Sequence, residues 1–417
     1  MSAAERSRRG GLLRVALDQI ARDLPDAPKA IAHRLSEEGR ALRALNVEDL
    51  RRGASRALPG PAFDFIEGGG ADEVTVARNR AAFGALELRP RVLRGVAAVS
   101  TATTVLGEPI ALPLMGAPHG AGLLFHPDAE TGLVRALQGA GTIPVVSVMA
   151  SQTIEEIARA APGPKWFQMY VWRDRGMTGE LLRRARDTGG YGALVLTIDT
   201  PRLGPRERDA RNGFVLPPRV TLRSLRGGVA HPRWSARVLR GPEIGLSNFA
   251  ANDVASGAVY AFDAGLTWRD IAWFREEWPG PLVLKGILSP DDATKAVEIG
   301  VDAISVSNHG GRQLDHAPAA IAALPRVLEA TGGAIEVYVD GGIRRGTDIA
   351  KALALGARAC LTARPFLYGL ATAGQAGVAR AVELLRAELD MTMTLLGCAS
   401  VDDLDRSFVG PVDQQQR

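Results

Sequence analysis

An eightfold alternation of short apolar runs with helical patterns is the feature that most constrains the fold of this chain. The runs are rich in β-branched residues and bounded by Gly or Pro, and segments such as "TIEEIARAA" and "GTDIAKALALGA" separate them. Continuous apolar strands joined by crossover helices form parallel sheets, and eight such units favour a closed barrel. The sequence therefore predicts an α/β fold, a (β/α)8 TIM barrel. Its strands are predicted within 110–118, 142–149, 165–171, 192–199, 281–287, 302–308, 335–342 and 359–365.

The segments outside these units complete the predicted organisation. Ser289 and Thr347 precede helical patterns and are predicted as their N-caps. The loop after the fourth strand is far longer than ordinary connections, and such loops are usually functional or disordered. The predicted parts are an N-terminal extension (1–45), the barrel domain (46–410) with a helical cap (46–105) and a lid loop (about 201–266), and a C-terminal tail (411–417).

Composition excludes several classes of function. The 417 residues carry a net charge of only +4, so nucleic acid is not an expected partner. Cys360 and Cys398 are the only cysteines and form no CxxC pair, so we predict neither a disulfide framework nor a metal site. A reducing cytoplasm is the expected location. No run approaches the roughly 18 to 20 apolar residues that a membrane span needs.

A basic stretch lies inside the predicted lid loop. Residues 217–242, "PPRVTLRSLRGGVAHPRWSARVLRGP", contain six Arg and no acidic residue. One interpretation is a solvated, mobile lid. The alternative is a contact surface for a partner or for an anionic membrane, which would place the protein at the inner face of the membrane.

Polar residues interrupt the apolar runs where the strands end. Tyr170, Asp199, Lys285 and His309 close the third, fourth, fifth and sixth strands. Each has a structural explanation, since a rim aromatic, a turn cap or a satisfied histidine is common. Catalytic residues of this barrel, however, cluster at the carboxyl ends of its strands, and four such residues at one rim favour an active site.

Strands seven and eight end in "DGGIRRG" and "TARP". In this barrel the loops that follow these two strands often bind phosphate, with glycines exposing backbone N–H groups and arginines supplying charge. Arg344 and Arg364 are the candidates here. The alternative is structural turns with surface arginines. No G-x-G-x-x-G follows an early strand and no P-loop occurs, so the pattern indicates a phosphorylated cofactor of another kind.

The strings "LTIDTPRLG", "LVLKGI", "SNHGGRQLD", "DGGIRRG" and "ARPFLYGLATAGQAGV" resemble those of the FMN-dependent α-hydroxy acid oxidases and dehydrogenases, the family of glycolate oxidase, mandelate dehydrogenase and the flavin-linked L-lactate dehydrogenases. The resemblance covers about residues 46 to 410. It implies bound FMN, oxidation of a small L-2-hydroxy acid to the 2-oxo acid, and a homotetramer. Electrons would leave to O2 or to a quinone or cytochrome.

The resemblance also implies roles for the polar residues. His309 would take the proton of the substrate hydroxyl, and Asp199 would stabilise the resulting imidazolium. Arg312 and Arg206 would bind the substrate carboxylate, and Tyr170 would contact a substrate oxygen.

A further set would hold the cofactor. Lys285 would lie beside the flavin ring and favour its anionic reduced form. The remaining positions implied to contact FMN are Pro118, His119, Gly120, Ser147, Gln168, Thr197, Ser307, Asp340, Gly341, Gly342, Arg344, Ala363 and Arg364.

Four positions depart from the family pattern and bear on the substrate. Phe65 stands where relatives usually have a tyrosine that touches the carboxylate, and Met149 where short-chain oxidases often have tryptophan; both are predicted to line the substrate pocket. His119 replaces a usual threonine, and Ala363 a common glycine. Two alternatives to a small hydroxy acid stay open. One is a larger hydroxy- or amino-acid moiety of a secondary metabolite, and the other is a non-catalytic flavin-binding scaffold.

Overall fold

Eight parallel strands form the centre of the computed structural model, which describes residues 36–213 and 228–412. The strands in chain order are β1 (Leu86–Leu88), β2 (Thr103–Val105), β3 (Glu108–Ile110), β4 (Leu114–Gly116), β5 (Val145–Ser147), β6 (Lys165–Met169), β7 (Tyr191–Thr197), β8 (Leu282–Ile287), β9 (Ala303–Val306), β10 (Glu336–Asp340), β11 (Ala359–Thr362) and β12 (Val409–Pro411).

Strands β4 to β11 pair side by side in one parallel sheet, with β11 returning to pair with β4. A bridge between Gly116 and Pro144 joins β4 to the chain entering β5, so the sheet closes on itself. The predicted TIM barrel is confirmed. Seven of the predicted ranges contain their strand entirely, and β7 begins at Tyr191, one residue before its range. The two remaining pairs, β1 with β12 and β2 with β3, are short and antiparallel.

The helices surround this barrel and extend it. They are α1 (Glu37–Leu42), α2 (Val47–Ala57), α3 (Gly60–Glu67), α4 (Val74–Gly84), α5 (Ala129–Gly139), α6 (Ile154–Ala160), α7 (Arg175–Thr188), α8 (Glu207–Arg211), α9 (Pro232–Arg240), α10 (Ala251–Ser256), α11 (Ile271–Glu277), α12 (Pro290–Ile299), α13 (Ala320–Thr331), α14 (Gly346–Leu355) and α15 (Arg364–Leu396). In the described ranges, no helix is both long and apolar enough to cross a bilayer.

Inward-facing side chains are apolar at the start of the barrel strands and polar toward their carboxyl ends. Apolar residues such as Val145, Trp166 and Tyr338 fill the lower barrel, and the last two rings lie 5.8 Å apart. Two residues further along β5 and β6, the alternation places Ser147 and Gln168 on the same inner side. The barrel thus has a packed apolar base and a polar layer at the carboxyl ends of its strands.

Two local predictions have different outcomes. Ser289 caps α12, since its side chain accepts from the Asp291 N–H at 3.2 Å. Thr347 does not cap α14, which begins two residues earlier than a cap at Thr347 predicts. Arg345 occupies the N-cap position there, and the Asp348 carboxylate accepts from its N–H at 3.0 Å, so a residue inside the helix satisfies the helix start.

The predicted cap is helical and packs on the last helix of the barrel. Helices α2, α3 and α4 lie within 46–105 as expected. Packing also reaches into the predicted N-terminal extension, because α1 contacts α15 and Arg40 donates to the Thr372 carbonyl at 3.2 Å. The rest of that extension, 1–35, and most of the predicted tail, 413–417, lie outside the described residues.

The described residues of the predicted lid loop include the three short helices α8 to α10 rather than loop alone. Helix α9 covers part of the basic stretch. Its Trp234 indole donates to the Leu124 carbonyl at 2.9 Å, and Arg237 forms an ion pair with Glu37 at 2.8 Å. Residues 217–227 of the stretch lie outside the described residues, and the mobility of the stretch stays a prediction.

Candidate active site

A cavity of about 510 Å³ opens above the polar layer of the barrel. The cap, the lid segment and the carboxyl ends of several barrel strands all contribute to its wall. Three predicted site residues, Asp199, Gln168 and Ser307, lie behind the wall and hydrogen-bond to residues in it. The other predicted site residues all line the cavity: Phe65, Pro118, His119, Gly120, Ser147, Met149, Tyr170, Thr197, Arg206, Lys285, His309, Arg312, Asp340, Gly341, Gly342, Arg344, Ala363 and Arg364.

His309 follows β9 in a strained turn. Its φ is 58°, in the left-handed region that non-glycine residues rarely adopt. The turn is held because the His309 N–H donates to Ser307 Oγ at 3.0 Å and the Gly311 N–H donates to Asn308 Oδ1 at 3.1 Å. Strain of this kind persists where surrounding contacts enforce it, and it is concentrated at functional sites.

The imidazole of His309 is paired with a carboxylate. Its Nδ1 lies 2.9 Å from Asp199 Oδ1, and Gly286 makes room for this carboxylate, since a Cβ there would lie 2.6 Å from Asp199 Cβ. Burial lowers the pKa of His309 although Asp199 opposes the shift, so the ring is neutral near pH 7. With Nδ1 protonated toward Asp199, Nε2 is the basic nitrogen.

Lys285 belongs to a buried polar network behind the histidine turn. Its Nζ lies 2.9 Å from both Ser307 Oγ and Asp340 Oδ2, and Ser307 in turn donates to Asp340 Oδ1 at 2.7 Å. Burial alone would lower the pKa of Lys285, but Asp340 and Asp199 raise it above its ordinary value. The ammonium therefore keeps a fixed positive charge beside the cavity.

Arg206 and Arg312 are two of the four arginines that line the cavity, and none of the four forms an ion pair with a carboxylate among the described residues. Arg312 donates from Nη1 to the carbonyls of Phe65 and Gly68, both at 2.8 Å, which leaves its Nε and Nη2 edge for another acceptor. Arg206 Nε is buried and has no hydrogen-bond partner in the described parts of the chain. Burial and the charges of Arg206 and Arg364 hold the pKa of Arg312 well below its ordinary value. An anion between Arg206 and Arg312 would relieve this repulsion.

The other end of the cavity carries the predicted phosphate residues. Gly341 and Gly342 have φ values of 91° and 93° and follow β10 directly. Arg344 donates to the Ile343 carbonyl at 2.7 Å and otherwise lies along the wall. Arg364 is more constrained than the sequence indicates, because it donates to four backbone carbonyls: those of Ile66, Glu67, Gly68 and Gly310. It fastens the cap to the barrel as well as lining the cavity.

Side-chain amide and hydroxyl groups form the polar layer between these two ends. Gln168 donates to Thr197 Oγ1 at 2.9 Å, and its carbonyl accepts from Ser147 Oγ at 2.7 Å. Gly120 packs closely against the Met149 backbone, since a Cβ at this position would lie 2.5 Å from the Met149 carbonyl oxygen. Only glycine fits there without displacing the backbone.

This donor set fits FMN. Arg344 and the backbone of Gly341 and Gly342 on the cavity wall suit a single phosphate, whereas the polar layer and the charged Lys285 suit the hydrogen-bonding edge of a flavin ring.

The residues that depart from the family pattern shape the opposite wall. The Phe65 ring lies 5.2 Å from the guanidinium carbon of Arg312 and offers only carbon atoms. His119 is neutral, since burial lowers its pKa to about 4, and it lines the cavity with Met149. The Tyr170 ring is stacked on the His309 ring with their centroids 6.4 Å apart, and both residues line the cavity.

The cavity also contains residues that sequence reasoning missed. Tyr260 and Phe262 come from the lid segment, and Asp209 comes from α8. Asp209 could have been noticed three residues after Arg206. Nothing in the sequence signals that Tyr260 returns to the cavity, because the path of so long a segment depends on tertiary packing.

Fold and site together define an FMN-binding (β/α)8 oxidoreductase. The model of the family described as FMN-dependent dehydrogenase matches residues 54–411, so the chain belongs to this family. It is 45% identical over 371 residues to an L-lactate oxidase of Nostoc sp., covering 88% of this chain and 98% of that protein. It is 43% identical over 372 residues to a putative L-lactate dehydrogenase of Mycobacterium tuberculosis, covering 88% and 89%.

Among solved structures, the chain is similar to the monotopic membrane protein (S)-mandelate dehydrogenase. The TM-score is 0.85 at 36% identity, covering 89% of this chain and all of that one. A mandelate oxidase structure with bound (S)-mandelic acid gives a TM-score of 0.77 at 39% identity, covering 88% and 98%. These relatives include both oxidases and dehydrogenases.

Proposed function

We propose that the protein oxidises an L-2-hydroxy acid to the 2-oxo acid, with His309 as the base. The observation that carries this proposal is the His309–Asp199 pair facing a cavity that also holds Arg206 and Arg312. A base beside two arginines without carboxylate partners suits a substrate that carries a hydroxyl and a carboxylate on adjacent carbons. A non-catalytic scaffold would not require the strained and paired histidine.

In this proposal each group has its own task. Arg312 and Arg206 bind the carboxylate and orient the α-carbon. His309 Nε2 accepts the hydroxyl proton, and Asp199 stabilises the imidazolium that forms at Nδ1. The Tyr170 hydroxyl contacts the substrate oxygen beside this nitrogen. Bound FMN supplies the acceptor for the α-hydrogen.

The cofactor contacts are a part of the same proposal. Arg344, Gly341 and Gly342 hold the phosphate, and Lys285 lies at the ring edge. Arg364 contributes mainly by keeping the cap in place over the site, because its donors are bound to carbonyls. Ser147, Gln168 and Thr197 present hydrogen-bonding groups to the ring.

An absorbance spectrum of the purified protein, followed by anaerobic addition of L-lactate, glycolate or (S)-mandelate, tests the proposal. We expect a flavin spectrum that is bleached by at least one L-acid and not by its D-enantiomer. Protein that holds FMN but is bleached by none of them would contradict the small-acid proposal. Bleaching by mandelate alone would favour the larger-substrate alternative. That alternative depends on the three wall residues that depart from the family pattern: Phe65, Met149 and His119.

We infer that the electrons leave to O2 or to a quinone or cytochrome, because the similar proteins include oxidases and dehydrogenases. Oxygen uptake with the reducing acid, compared with reduction of a soluble quinone, separates these acceptors. We also infer a homotetramer by resemblance to the family. Light scattering on the purified protein gives the mass directly.

We further infer a cytoplasmic protein that contacts the inner face of the membrane through its basic lid. The side chain of Leu239 is 86% exposed on α9, next to the exposed Arg240, and Val229 is 83% exposed nearby. A basic and apolar surface of this kind suits an anionic bilayer. Binding to phosphatidylglycerol vesicles should exceed binding to phosphatidylcholine vesicles and should weaken with salt; equal binding would contradict the contact.

A further inference from the structure

Tyr260 lies on the cavity wall although it belongs to the lid segment, far from the strand ends in sequence. It ends a short 3-10 helix, Ala258–Tyr260, which begins after Gly257 in the left-handed conformation with φ of 77°. The sharp turn at Gly257 directs the following residues back toward the barrel mouth.

The segment that carries Tyr260 is fixed to the end of the third barrel strand. The Trp172 indole donates to the Val259 carbonyl at 3.0 Å, and the Arg173 N–H donates to the Ala261 carbonyl at 3.2 Å. The neighbouring Phe262 ring lies 4.7 Å from the Tyr170 ring. These contacts hold Tyr260 on both sides, so its position over the cavity belongs to the fold.

The surroundings of Tyr260 identify what its hydroxyl can bind. Tyr260 and Arg206 both line the cavity and both come from the lid segment. The ring is partly buried, which raises the pKa of the phenol although the charge of Arg206 opposes this shift, so the hydroxyl is neutral. A carboxylate bound to Arg206 would therefore lie beside a neutral O–H donor. On the other side of the cavity, Phe65 contacts Arg312 with carbon atoms alone.

We propose that Tyr260 is a substrate-binding residue whose hydroxyl donates to the carboxylate of the 2-hydroxy acid beside Arg206. The proposal rests on the proposed function for the identity of the substrate. The lid then takes a direct part in substrate recognition. Arg312 from the barrel rim and Arg206 from the lid bind the carboxylate, and the Tyr260 hydroxyl donates the hydrogen bond that Phe65 cannot donate.

The test is the affinity of the FMN-loaded Tyr260→Phe variant for oxalate, measured by the change in flavin absorbance on titration. Loss of one hydrogen bond to a charged group should raise the Kd about tenfold to a hundredfold. The limiting rate of flavin reduction by the reducing acid should change less than about threefold, because the carboxylate contact is the same before and during the reaction.

Tyr338→Phe is the matched control. Its hydroxyl donates to Glu336 at 2.6 Å, and the residue lies outside the cavity wall. An oxalate Kd within twofold of wild type in Tyr260→Phe, or an equal rise in Tyr338→Phe, would overturn the proposal. Failure of the proposed function has a different signature, since wild-type protein would then bind oxalate yet be reduced by no hydroxy acid.

Discussion

At the scale of single residues, burial and pairing with Asp199 set the protonation state of His309. The ring is partly buried, its Nδ1 faces Asp199, and its backbone is strained into the left-handed region. These three features keep one nitrogen neutral and directed into the cavity. The sequence indicates this residue through its place after a strand, but the strain and the tautomer follow only from the folded turn.

The pH dependence of kcat/KM tests the state of this base. His309 acts only when deprotonated, and burial lowers its pKa below the ordinary value of 6.5. Activity should therefore persist as pH falls through 6.5 and should be lost only at lower pH, when the ring becomes protonated. An acid limb centred above pH 6.5 would contradict a buried, neutral imidazole.

A second residue-scale prediction concerns two adjacent arginines. Arg344 lines the cavity, whereas Arg345 is exposed and forms an ion pair with Glu388. Arg344→Ala should raise the Kd for FMN about tenfold to a hundredfold, because one charged contact to phosphate is lost. Arg345→Ala is the control and should leave FMN retention unchanged. Reconstitution of apoprotein, followed by fluorescence, gives both values; equal retention in the two variants would remove Arg344 from the site.

At the scale of elements, the barrel strands could be predicted and the lid could not. Every barrel strand is an apolar run whose side chains alternate between the two faces of the sheet. Seven predicted ranges contain their strand entirely, and β7 begins one residue before its range, at Tyr191. The polar layer follows from the same alternation. Helices α8 to α10 and the return of Tyr260 depend on contacts such as Trp172 with Val259, which no local pattern encodes. The start of α14 differs from the prediction because the Asp348 carboxylate, inside the helix, accepts from the backbone N–H of Arg345 at the N-cap.

Anchoring of the lid helix can be tested by proteolysis. Trp234 on α9 packs against the core and donates to the Leu124 carbonyl at 2.9 Å. Trp234→Ala should free α9 and speed tryptic cleavage after Arg233, Arg237 or Arg240 several-fold, because local opening becomes less costly. Mass spectrometry of early fragments identifies the sites. Unchanged cleavage at these arginines would show that the indole does not hold the helix.

At the scale of the whole molecule, three parts of the chain meet at one cavity. The barrel supplies the base, its carboxylate and the fixed ammonium; the cap is fastened over them by Arg364; and the lid contributes Arg206 and Tyr260. The barrel and the base could be predicted from sequence because they follow strand periodicity and a specific motif. The wall of the substrate pocket could not, because it is assembled from segments distant in sequence.

The most direct test of the central claim is anaerobic stopped-flow bleaching of the flavin in wild-type protein and His309→Ala at equal FMN content. The proposed phosphate and ring contacts lie largely on other strands, so the variant should retain the cofactor. General-base catalysis contributes about 10²- to 10⁴-fold, and the rate of reduction by the L-2-hydroxy acid should fall by that order. Reduction of His309→Ala within a few-fold of wild type would contradict the role of His309 as the base.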